Sequence, residues 1–188
     1  MISGVVLAAG TGSRFGGTKQ LAILDGRPLA QHAIDTLVEA GVDEIVVVTG
    51  HDAVKVASAL LLPPPAMIVY NAAFKEGQAT SLAAALHALD DESEAAVVLM
   101  ADQPGVTAEV VRTLIQRFLG TRKQIVRAMY RDGPGPSLLS REIYAEAGHL
   151  HGDVGARELI ASHPEWVEEV LADANLPRDV DVPEDLHR

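Results

Sequence analysis

Short apolar runs alternate with helical patterns along the first two thirds of the chain. Runs typical of buried strands lie at residues 3–9, 44–49, 67–70 and 95–100. Apolar residues at helical spacing lie between them, at residues 28–40, 52–62, 80–89 and 106–119. Strands that alternate with helices predict an α/β fold, with a Rossmann-like, mostly parallel central sheet and helices on both faces.

The pattern is less regular beyond residue 124. Residues 124–130 predict a strand, and the Gly- and Pro-rich residues 132–136 predict a turn. A short strand at Leu138 and Leu139, a short helix at residues 142–147 and a helix at 154–161 capped by Asp153 follow. Residues 167–171 and 180–182 are candidate strands, and we expect the second to return to the sheet. We expect one domain with a smaller, lid-like second half.

The loop after the first strand is the most distinctive stretch of the chain. Residues 10–19 contain four glycines together with Arg14 and Lys19. Exposed backbone N–H groups in a glycine-rich turn bind anions, and glycine lets a ligand approach the main chain closely. The loop therefore predicts a polyphosphate site, while a mobile surface loop is the alternative interpretation.

Two known phosphate motifs do not fit this loop. The P-loop requires Lys before Ser or Thr after its last glycine, and here Thr18 precedes Lys19. The dinucleotide motif requires a third glycine where Phe15 stands, and an acidic residue after the second strand, where the chain has Gly50 and His51.

Composition and charge exclude several classes of protein. The chain has 188 residues, 48% of them hydrophobic, and a net charge of −11, which argues against general binding to nucleic acid or an anionic membrane. We expect no membrane-spanning helix and no signal peptide. Cysteine is absent, so we expect neither disulfides nor a thiolate metal site, in keeping with a cytoplasmic enzyme.

Carboxylates lie where the parallel strands are expected to end, and ligands bind at this edge of open α/β sheets. Asp102 follows the strand at 95–100, and Asp181 would lie beside it if the last strand returned to the sheet. Mg²⁺ commonly takes one or two protein carboxylates and completes its shell with phosphate and water. An ordinary turn or cap aspartate is the alternative for each residue. Asp179 is expected to face solvent.

Further polar residues lie at the same edge. Residues 77–81 open a helix whose free N–H groups and two hydroxyls, from Thr80 and Ser81, suit phosphate, ribose or base contacts. The seven histidines form no metal-binding pattern, and no G-x-S-x-G elbow of a serine hydrolase is present.

These residues together resemble a nucleotidyltransferase of the molybdenum-cofactor cytidylyltransferase type, the MocA/MobA-like group. The resemblance runs over almost the whole chain. Its motifs are the residues at 7–10, 13–16 and 19, 26–29, 48–50, 71, 77 and 80–82, 102–104, 152–157 and 181–186.

The resemblance implies the nucleotidyltransferase fold of the nucleotide-diphospho-sugar transferase type. It also implies transfer of a nucleoside monophosphate from a triphosphate to a phosphorylated pterin-type cofactor, with release of pyrophosphate and with Mg²⁺, or Mn²⁺, as the metal. A molybdenum hydroxylase is a possible partner. The implied nucleotide-binding half is residues 1–121 and the implied acceptor-binding half is residues 122–188.

The resemblance also implies roles for individual residues. Lys19 and Arg14 would be catalytic, and Asp102 and Asp181 would bind the metal. The nucleotide-binding residues would be Leu7, Ala8, Ala9, Gly10, Gly12, Ser13, Arg14, Lys19, Thr80, Ser81 and Asp102. The acceptor-binding residues would be Asn71, Gln103, Pro136 and Asp153. Relatives that use guanine carry Gly at the position of Ala9, so the chain's Ala favours CTP.

One departure from the family bears on the acceptor. Many relatives read Gly-His-Pro where this chain reads Gly135, Pro136 and Ser137. A different phosphorylated acceptor is therefore an alternative, as in sugar-1-phosphate, phospholactate or methylerythritol-phosphate nucleotidyltransferases. A binding or delivery protein for molybdenum hydroxylases is a second alternative. A glycosyltransferase that uses Asp179 and Asp181 as a D-x-D motif is a third, although this motif lies at the C-terminus.

Overall fold

The computed structural model describes residues 1–152 and 156–187. A seven-stranded sheet runs through the molecule in the order β5-β4-β1-β6-β8-β7-β9. Its strands are β1 (Ile2–Ala8), β4 (Glu44–Thr49), β5 (Ala66–Tyr70), β6 (Ala95–Met100), β7 (Ile125–Tyr130), β8 (Gly133–Ser140) and β9 (Val167–Leu171). Two short strands, β2 (Ile23–Leu24) and β3 (Arg27–Pro28), form a separate antiparallel pair.

Helices connect the strands and cover both faces of the sheet, as the alternating pattern predicts. They are α1 (Leu29–Ala40), α2 (Ala53–Ala59), α3 (Gln78–Ala88), α4 (Ala108–Thr121), α5 (Tyr144–Ala147) and α6 (Arg157–Ser162). Buried residues of α1, α2 and α4 form one core with the sheet, and buried residues of α3, α5 and α6 form the other. Strand β1 contributes to both, because alternate residues such as Val5 and Val6 face opposite sides.

The parallel part of the sheet contains β5, β4, β1 and β6. Its inner strands β4, β1 and β6 are almost fully apolar because they are buried on both faces, whereas Met67 and Tyr70 of the edge strand β5 are exposed. Helix α1 ends where Gly41 adopts a left-handed conformation, with φ of 81°, and Thr107 caps α4 by accepting a hydrogen bond from the Val110 N–H. These local predictions are confirmed.

The predicted turn at residues 132–136 is misplaced, because the turn lies at residues 131–132 between β7 and β8, whereas Leu138 and Leu139 lie in a strand as predicted. Residues 133–140 form one eight-residue strand, β8, which lies antiparallel between β6 and β7. Residues 133–136 have no partner on the β6 side, since β6 pairs only with residues 137–140 of β8. Proline has no backbone N–H, and it is tolerated there because no hydrogen bond to β6 is required from these residues.

Other bounds also differ from the predictions. Residues 180–182 form no strand, although the Val180 N–H donates to the Asp102 carbonyl oxygen at 2.9 Å. Helix α2 is shorter than residues 52–62, and the predicted helix at 142–147 divides into a 3-10 turn at Arg141–Ile143 and α5. The predicted cap at Asp153 lies outside the described residues. None of the described helices is both long enough and apolar enough to cross a membrane.

Candidate functional site

The carboxyl ends of β1, β4 and β6 lie side by side, and the glycine-rich loop leaves β1 at this edge. The loop is shaped by Gly12, which has φ of +61° and whose carbonyl oxygen accepts from the N–H groups of Phe15 and Gly16 at 2.9 and 3.1 Å. A Cβ on Gly12 would lie 2.4 Å from the Gly17 carbonyl oxygen. Glycine is therefore required at this position both for its backbone conformation and for the available space.

The far end of the loop is fixed to the body of the protein. The Thr18 hydroxyl donates to Asp52 Oδ2 at 2.5 Å, and this bond is the largest single cause that lowers the pKa of Asp52 below its ordinary value, with Lys55 lowering it as well. Gln20 is buried and donates from Nε2 to the Gly10 carbonyl oxygen at 2.8 Å. These two contacts hold both ends of the loop in place.

Two cations and two carboxylates meet at the mouth of the loop. Lys19 Nζ lies 2.8 Å from Asp102 Oδ2 and 3.3 Å from Asp181 Oδ1. Arg14 Nη1 lies 2.9 Å from Asp181 Oδ2. The Lys19 side chain is 13% exposed and that of Arg14 is 74% exposed, so the lysine lies inside the cleft and the arginine at its rim.

Asp181 reaches this cluster without a strand to carry it. The hydrogen bond from Val180 to the Asp102 carbonyl and the burial of Val180 fasten the C-terminal segment to the end of β6. The Asp185 carboxylate accepts from the N–H groups of Asp181 and Val182 at 3.0 and 3.1 Å. The sequence therefore predicts the position of Asp181 correctly, although a loop and not a strand supplies it.

The pair Asp102 and Asp181 is suited to a divalent cation. Both carboxylates approach the same ammonium group, so one ion placed between them could take an oxygen from each. No group of three or more His, Cys, Asp or Glu suited to a metal is found within residues 1–152 and 156–187. A metal held by these two aspartates would therefore complete its shell with phosphate and water, as Mg²⁺ commonly does.

Two pockets adjoin this cluster. The smaller has a volume of about 100 Å³ and lies under the glycine-rich loop, between Gly10, Gly12, Lys19 and Gln20. The larger has a volume of about 260 Å³ and extends from Asp102 toward β7, β8 and α6. Leu7, Met100 and Asp102 line both pockets, so Asp102 stands at their junction.

The larger pocket is lined by both halves of the chain. Its polar wall includes Gln78, Gln103 and Asp179, and the Gln103 amide donates to Asp179 at 2.8 Å. Asp179 is exposed, as predicted, although it also lines this pocket. The β8 segment contributes Pro136 and its neighbours.

Three residues of the predicted site form a hydrogen-bonded group beneath the start of α3. Asn71 is 6% exposed, and its amide donates to the hydroxyls of Thr80 and Ser81 at 2.9 and 3.0 Å. The structure does not bring these side chains to the lining of either pocket. The group instead fixes the beginning of α3, where Gly77 has φ of +116°.

The remaining predicted residues are divided between the site and its surroundings. Leu7, Gly10, Gly12, Lys19 and Asp102 line the smaller pocket, and Gln103 and Pro136 line the larger one. Ala8 and Ala9 are buried at the end of β1, and Ser13 is exposed on the loop. Asp153 lies outside the described residues. The roles assigned to all of these residues stay predictions.

The sequence interpretation missed several residues that line the pockets. Gln20 directly follows the glycine-rich loop at residues 10–19, and Gln78 lies within residues 77–81. Both were therefore close enough to the predicted site to be named as candidates. Arg127 is a charged residue inside an otherwise apolar strand, and that contrast was also visible. Arg157 is the last residue of the motif at residues 152–157, so it also carried a signal, although no role was assigned to it.

Comparison with known proteins gives a family match over most of the chain. The family model of the MobA-like NTP transferase domain matches residues 4–167. A relative named nicotine blue oxidoreductase, from Paenarthrobacter nicotinovorans, is 32% identical over 200 residues, covering 100% of this chain and 95% of the relative.

Solved structures with the same architecture include Rv0371c from Mycobacterium tuberculosis H37Rv. It is 31% identical, has a TM-score of 0.87 and covers 100% of this chain and 95% of its own. A structure of the same protein in complex with manganese has a TM-score of 0.84 at 31% identity, covering 100% and 96%. A nucleotidyl transferase from Methanothermobacter thermautotroptrophicus has a TM-score of 0.83 at 22% identity, covering 100% and 95%, which supports the fold alone.

Proposed function

The chain belongs to the MobA-like NTP transferase family and has its α/β nucleotidyltransferase fold. From that premise we propose that it transfers CMP from CTP to the phosphate of a phosphorylated cofactor, with molybdopterin as the acceptor. The proposal includes pyrophosphate as the second product, Mg²⁺ or Mn²⁺ as the metal, and action in the cytoplasm.

One observation supports the proposal more than any other. Lys19 Nζ lies within 3.3 Å of both Asp102 and Asp181, although these carboxylates are 83 and 162 positions away in sequence. A cation from a glycine-rich loop beside two carboxylates at a sheet edge suits a triphosphate that binds together with a metal. A glycine-rich loop with only a structural role would not require this convergence.

The four charges of the cluster suggest how the nucleotide and metal would enter. Without substrate, Lys19 and Arg14 neutralise Asp102 and Asp181. If Asp102 and Asp181 held a metal, Lys19 and Arg14 would be free to bind phosphate oxygens. Each group then exchanges one oppositely charged partner for another, so no charge is left unpaired in the cleft.

The donor set determines the role that we assign to the metal. Asp102 and Asp181 would hold it, and a bound divalent ion would neutralise charge on the triphosphate. A solved relative has been crystallised in complex with manganese. We therefore include Mn²⁺ beside Mg²⁺ in the proposal.

The transfer itself requires positioning and charge stabilisation more than covalent catalysis. An oxygen of the acceptor phosphate forms a bond to the α-phosphorus of CTP, and the bond from that phosphorus to the bridging oxygen breaks. Pyrophosphate leaves with the electron pair. Lys19 and Arg14 are placed to stabilise the charge that grows on this leaving group.

The base and the acceptor are the least constrained parts of the proposal. Ala9 favours CTP over GTP by the resemblance. The Ser81 hydroxyl accepts a hydrogen bond from the Asn71 amide, so its own hydrogen is what it would donate to a nucleoside. The larger pocket adjoins Asp102 and is the place for the acceptor. The sequence of β8 lacks the histidine of many relatives, so another phosphorylated acceptor stays within the proposal.

The experiment that tests the function measures pyrophosphate release from CTP and GTP in the presence of Mg²⁺ or Mn²⁺ and molybdopterin. Release that depends on acceptor, metal and CTP would support the full proposal. Release only with another phosphorylated acceptor, such as a sugar 1-phosphate, would keep the reaction and replace the substrate. No release with any acceptor or nucleotide would contradict nucleotidyl transfer.

A second candidate function is favoured by the relative named nicotine blue oxidoreductase, which matches the whole chain. The chain could serve a redox enzyme by binding a nucleotide or pterin cofactor and delivering it to a molybdenum hydroxylase without turnover. Equilibrium binding of CTP, with no pyrophosphate release over many acceptors, would favour this candidate. Pyrophosphate release at a catalytic rate would contradict it.

A further inference from the structure

The larger pocket contains cations that the proposed nucleotide contacts do not use. Arg127 from β7 and Arg157 from α6 line the pocket that begins at Asp102. Lys19 and Arg14, by contrast, belong to the loop on the other side of Asp102. The two arginines are therefore separate from the charges assigned to the triphosphate.

Arg157 is unusual among the arginines of this acidic chain. Within residues 1–152 and 156–187, eight arginines form an ion pair with Asp or Glu, whereas Arg157 and Arg178 form none, and of these two only Arg157 lines the larger pocket. The chain has 26 acidic and 15 basic residues, so carboxylate partners are plentiful. An arginine without such a partner that lines a pocket is available to an anionic ligand.

Arg127 has donors to spare although it is mostly buried. Its side chain is 19% exposed, and Nη2 lies 2.5 Å from Glu169 Oε1. Its Nε is buried and has no hydrogen-bond partner among the residues that the structure describes. A guanidinium carries five N–H donors, so one ion pair leaves most of them available. A buried donor without a partner indicates a group that a ligand could satisfy.

The strand opposite Arg127 leaves room for such a ligand. Ser137 is the cross-strand neighbour of Arg127, and its hydroxyl can donate to an oxyanion. Gly135 and Pro136 on the same strand add little bulk and no charge to the pocket lining. The anion-binding groups of this pocket are thus guanidinium and hydroxyl groups, with no imidazole from β8.

We propose that Arg127 and Arg157 bind the phosphate of the acceptor substrate in the larger pocket. This inference rests on the proposed function and specifies which side chains recognise the acceptor. Guanidinium groups pair with phosphate in a bidentate geometry, which fixes the orientation of the phosphate as well as its charge. Asp102 lies at the junction of the two pockets, so an acceptor phosphate held here would face the α-phosphate of the nucleotide across the metal ligands.

The test uses inorganic phosphate as the probe and the full chain as the protein. Phosphate affinity is measured by titration for the wild type and for Arg127→Gln and Arg157→Gln. Arg117→Gln is the matched control. Arg117 of α4 pairs with Glu168, which neighbours the Arg127 partner Glu169 on β9, but Arg117 does not line the pocket. Thermal unfolding of each variant checks the fold, and the exposed Arg157 carries the test if Arg127→Gln does not fold.

The expected result is a loss of phosphate affinity of about 10-fold or more in each pocket variant and no change in Arg117→Gln, since a charge-assisted hydrogen bond contributes about this much. Unchanged affinity in Arg157→Gln, or no phosphate binding by the wild type, would overturn the proposal. So would a loss in Lys19→Ala without a loss in Arg157→Gln, because the ion would then bind the glycine-rich loop.

The outcome can be separated from that of the proposed function. Pyrophosphate release is measured independently with nucleotide, metal and acceptor. Intact phosphate binding without any release would overturn nucleotidyl transfer and leave the anion site in place. Intact release with no effect of either arginine variant on phosphate affinity would overturn the anion site alone.

Discussion

The two sides of Asp102 are built in different ways. On one side, the glycine-rich loop offers backbone N–H groups, and its cations Lys19 and Arg14 are already paired with Asp102 and Asp181. On the other side, β7, β8 and α6 surround a pocket lined by Arg157, which has no ion-pair partner in the described part of the chain, and by Arg127, whose Nε has no hydrogen-bond partner there. The charges of the first side are paired with one another, whereas the second side is a pocket lined by two arginines that have few partners among the described residues.

This difference indicates what each side requires from its ligand. On the loop side, a ligand must replace existing ion pairs, so we expect a nucleotide and a metal to bind together more readily than either alone. On the pocket side, guanidinium donors are not all used, so a single anion can bind to them. The predictions below test whether the two sides differ in this way.

The largest effect is expected at the residue that the two sides share. Asp102→Ala removes one of two candidate metal ligands and the partner of Lys19, so we expect metal-dependent turnover to be lost. The measurement is pyrophosphate release over a range of Mg²⁺ and Mn²⁺ concentrations. Asp91→Ala is the control, because Asp91 is an exposed carboxylate that pairs with Arg141 and lines neither pocket of the site. Full activity of Asp102→Ala with the same metal requirement would reject Asp102 as a ligand.

Lys19→Ala tests the loop side alone. We expect kcat to fall on the order of 100-fold or more, because one preorganised charge donor to the leaving group is lost. Single-turnover pyrophosphate release measures this step, and Lys123→Ala serves as the control because that lysine follows α4, donates to the Glu165 carbonyl oxygen and lines neither pocket. An unchanged kcat would place the catalytic charge elsewhere.

Sequence reasoning was more accurate on the loop side because its residues form a local motif. Residues 7–19 are contiguous, so their order and spacing predicted a loop with glycines and cations after a buried strand. Asp102 was predicted by its place at the end of an apolar strand. Asp181 was found at the expected position, although the strand predicted to bring it there is absent.

The pocket side was less accessible from sequence because distant segments build it. Strand β8 enters the sheet between β6 and β7, and no local pattern of residues predicts that insertion. Its prolines and glycines have a high turn propensity and therefore predicted a turn. Residue propensity does not reveal that one side of this strand lacks a partner, which is why proline is tolerated there. Arg127 and Arg157 line the same pocket only because β8 and α6 fold against β7.

Two glycines of the loop provide a matched comparison. Gly12 has a left-handed backbone conformation, and in Gly12→Ala the added Cβ would clash with the Gly17 carbonyl oxygen. We therefore expect the loop to distort and CTP affinity to fall about 10-fold. Gly17→Ala meets no atom within 4 Å, and we expect affinity within a factor of about two. Equal affinities for the two variants in a CTP titration would show that the loop does not need the observed backbone.

Two glycines of β8 make the same comparison on the pocket side. A Cβ on Gly135 would lie 2.3 Å from a ring carbon of Tyr130, which is buried, so Gly135→Ala should reduce the free energy of unfolding by about 1–3 kcal/mol. A Cβ on Gly133 would have its nearest contact at 3.6 Å, and Gly133→Ala should change stability by less than about 0.5 kcal/mol. Urea unfolding measures both variants, and equal stabilities would contradict the tight packing of this strand.

The smallest effect concerns the anchor of the loop. The Thr18 hydrogen bond is the largest single cause of the lowered pKa of Asp52, so Thr18→Val should raise that pKa toward 3.8, and Lys55→Ala should raise it as well. Because the folded-state pKa lies below its ordinary value, the anchor is intact above about pH 4 and is lost as pH falls through the lowered pKa. NMR titration of the Asp52 carboxyl carbon measures both shifts. No rise of the Asp52 pKa in Thr18→Val would mean that the loop threonine does not hold this carboxylate ionised, and the loop side would then lack the fixed anchor that distinguishes it from the pocket side.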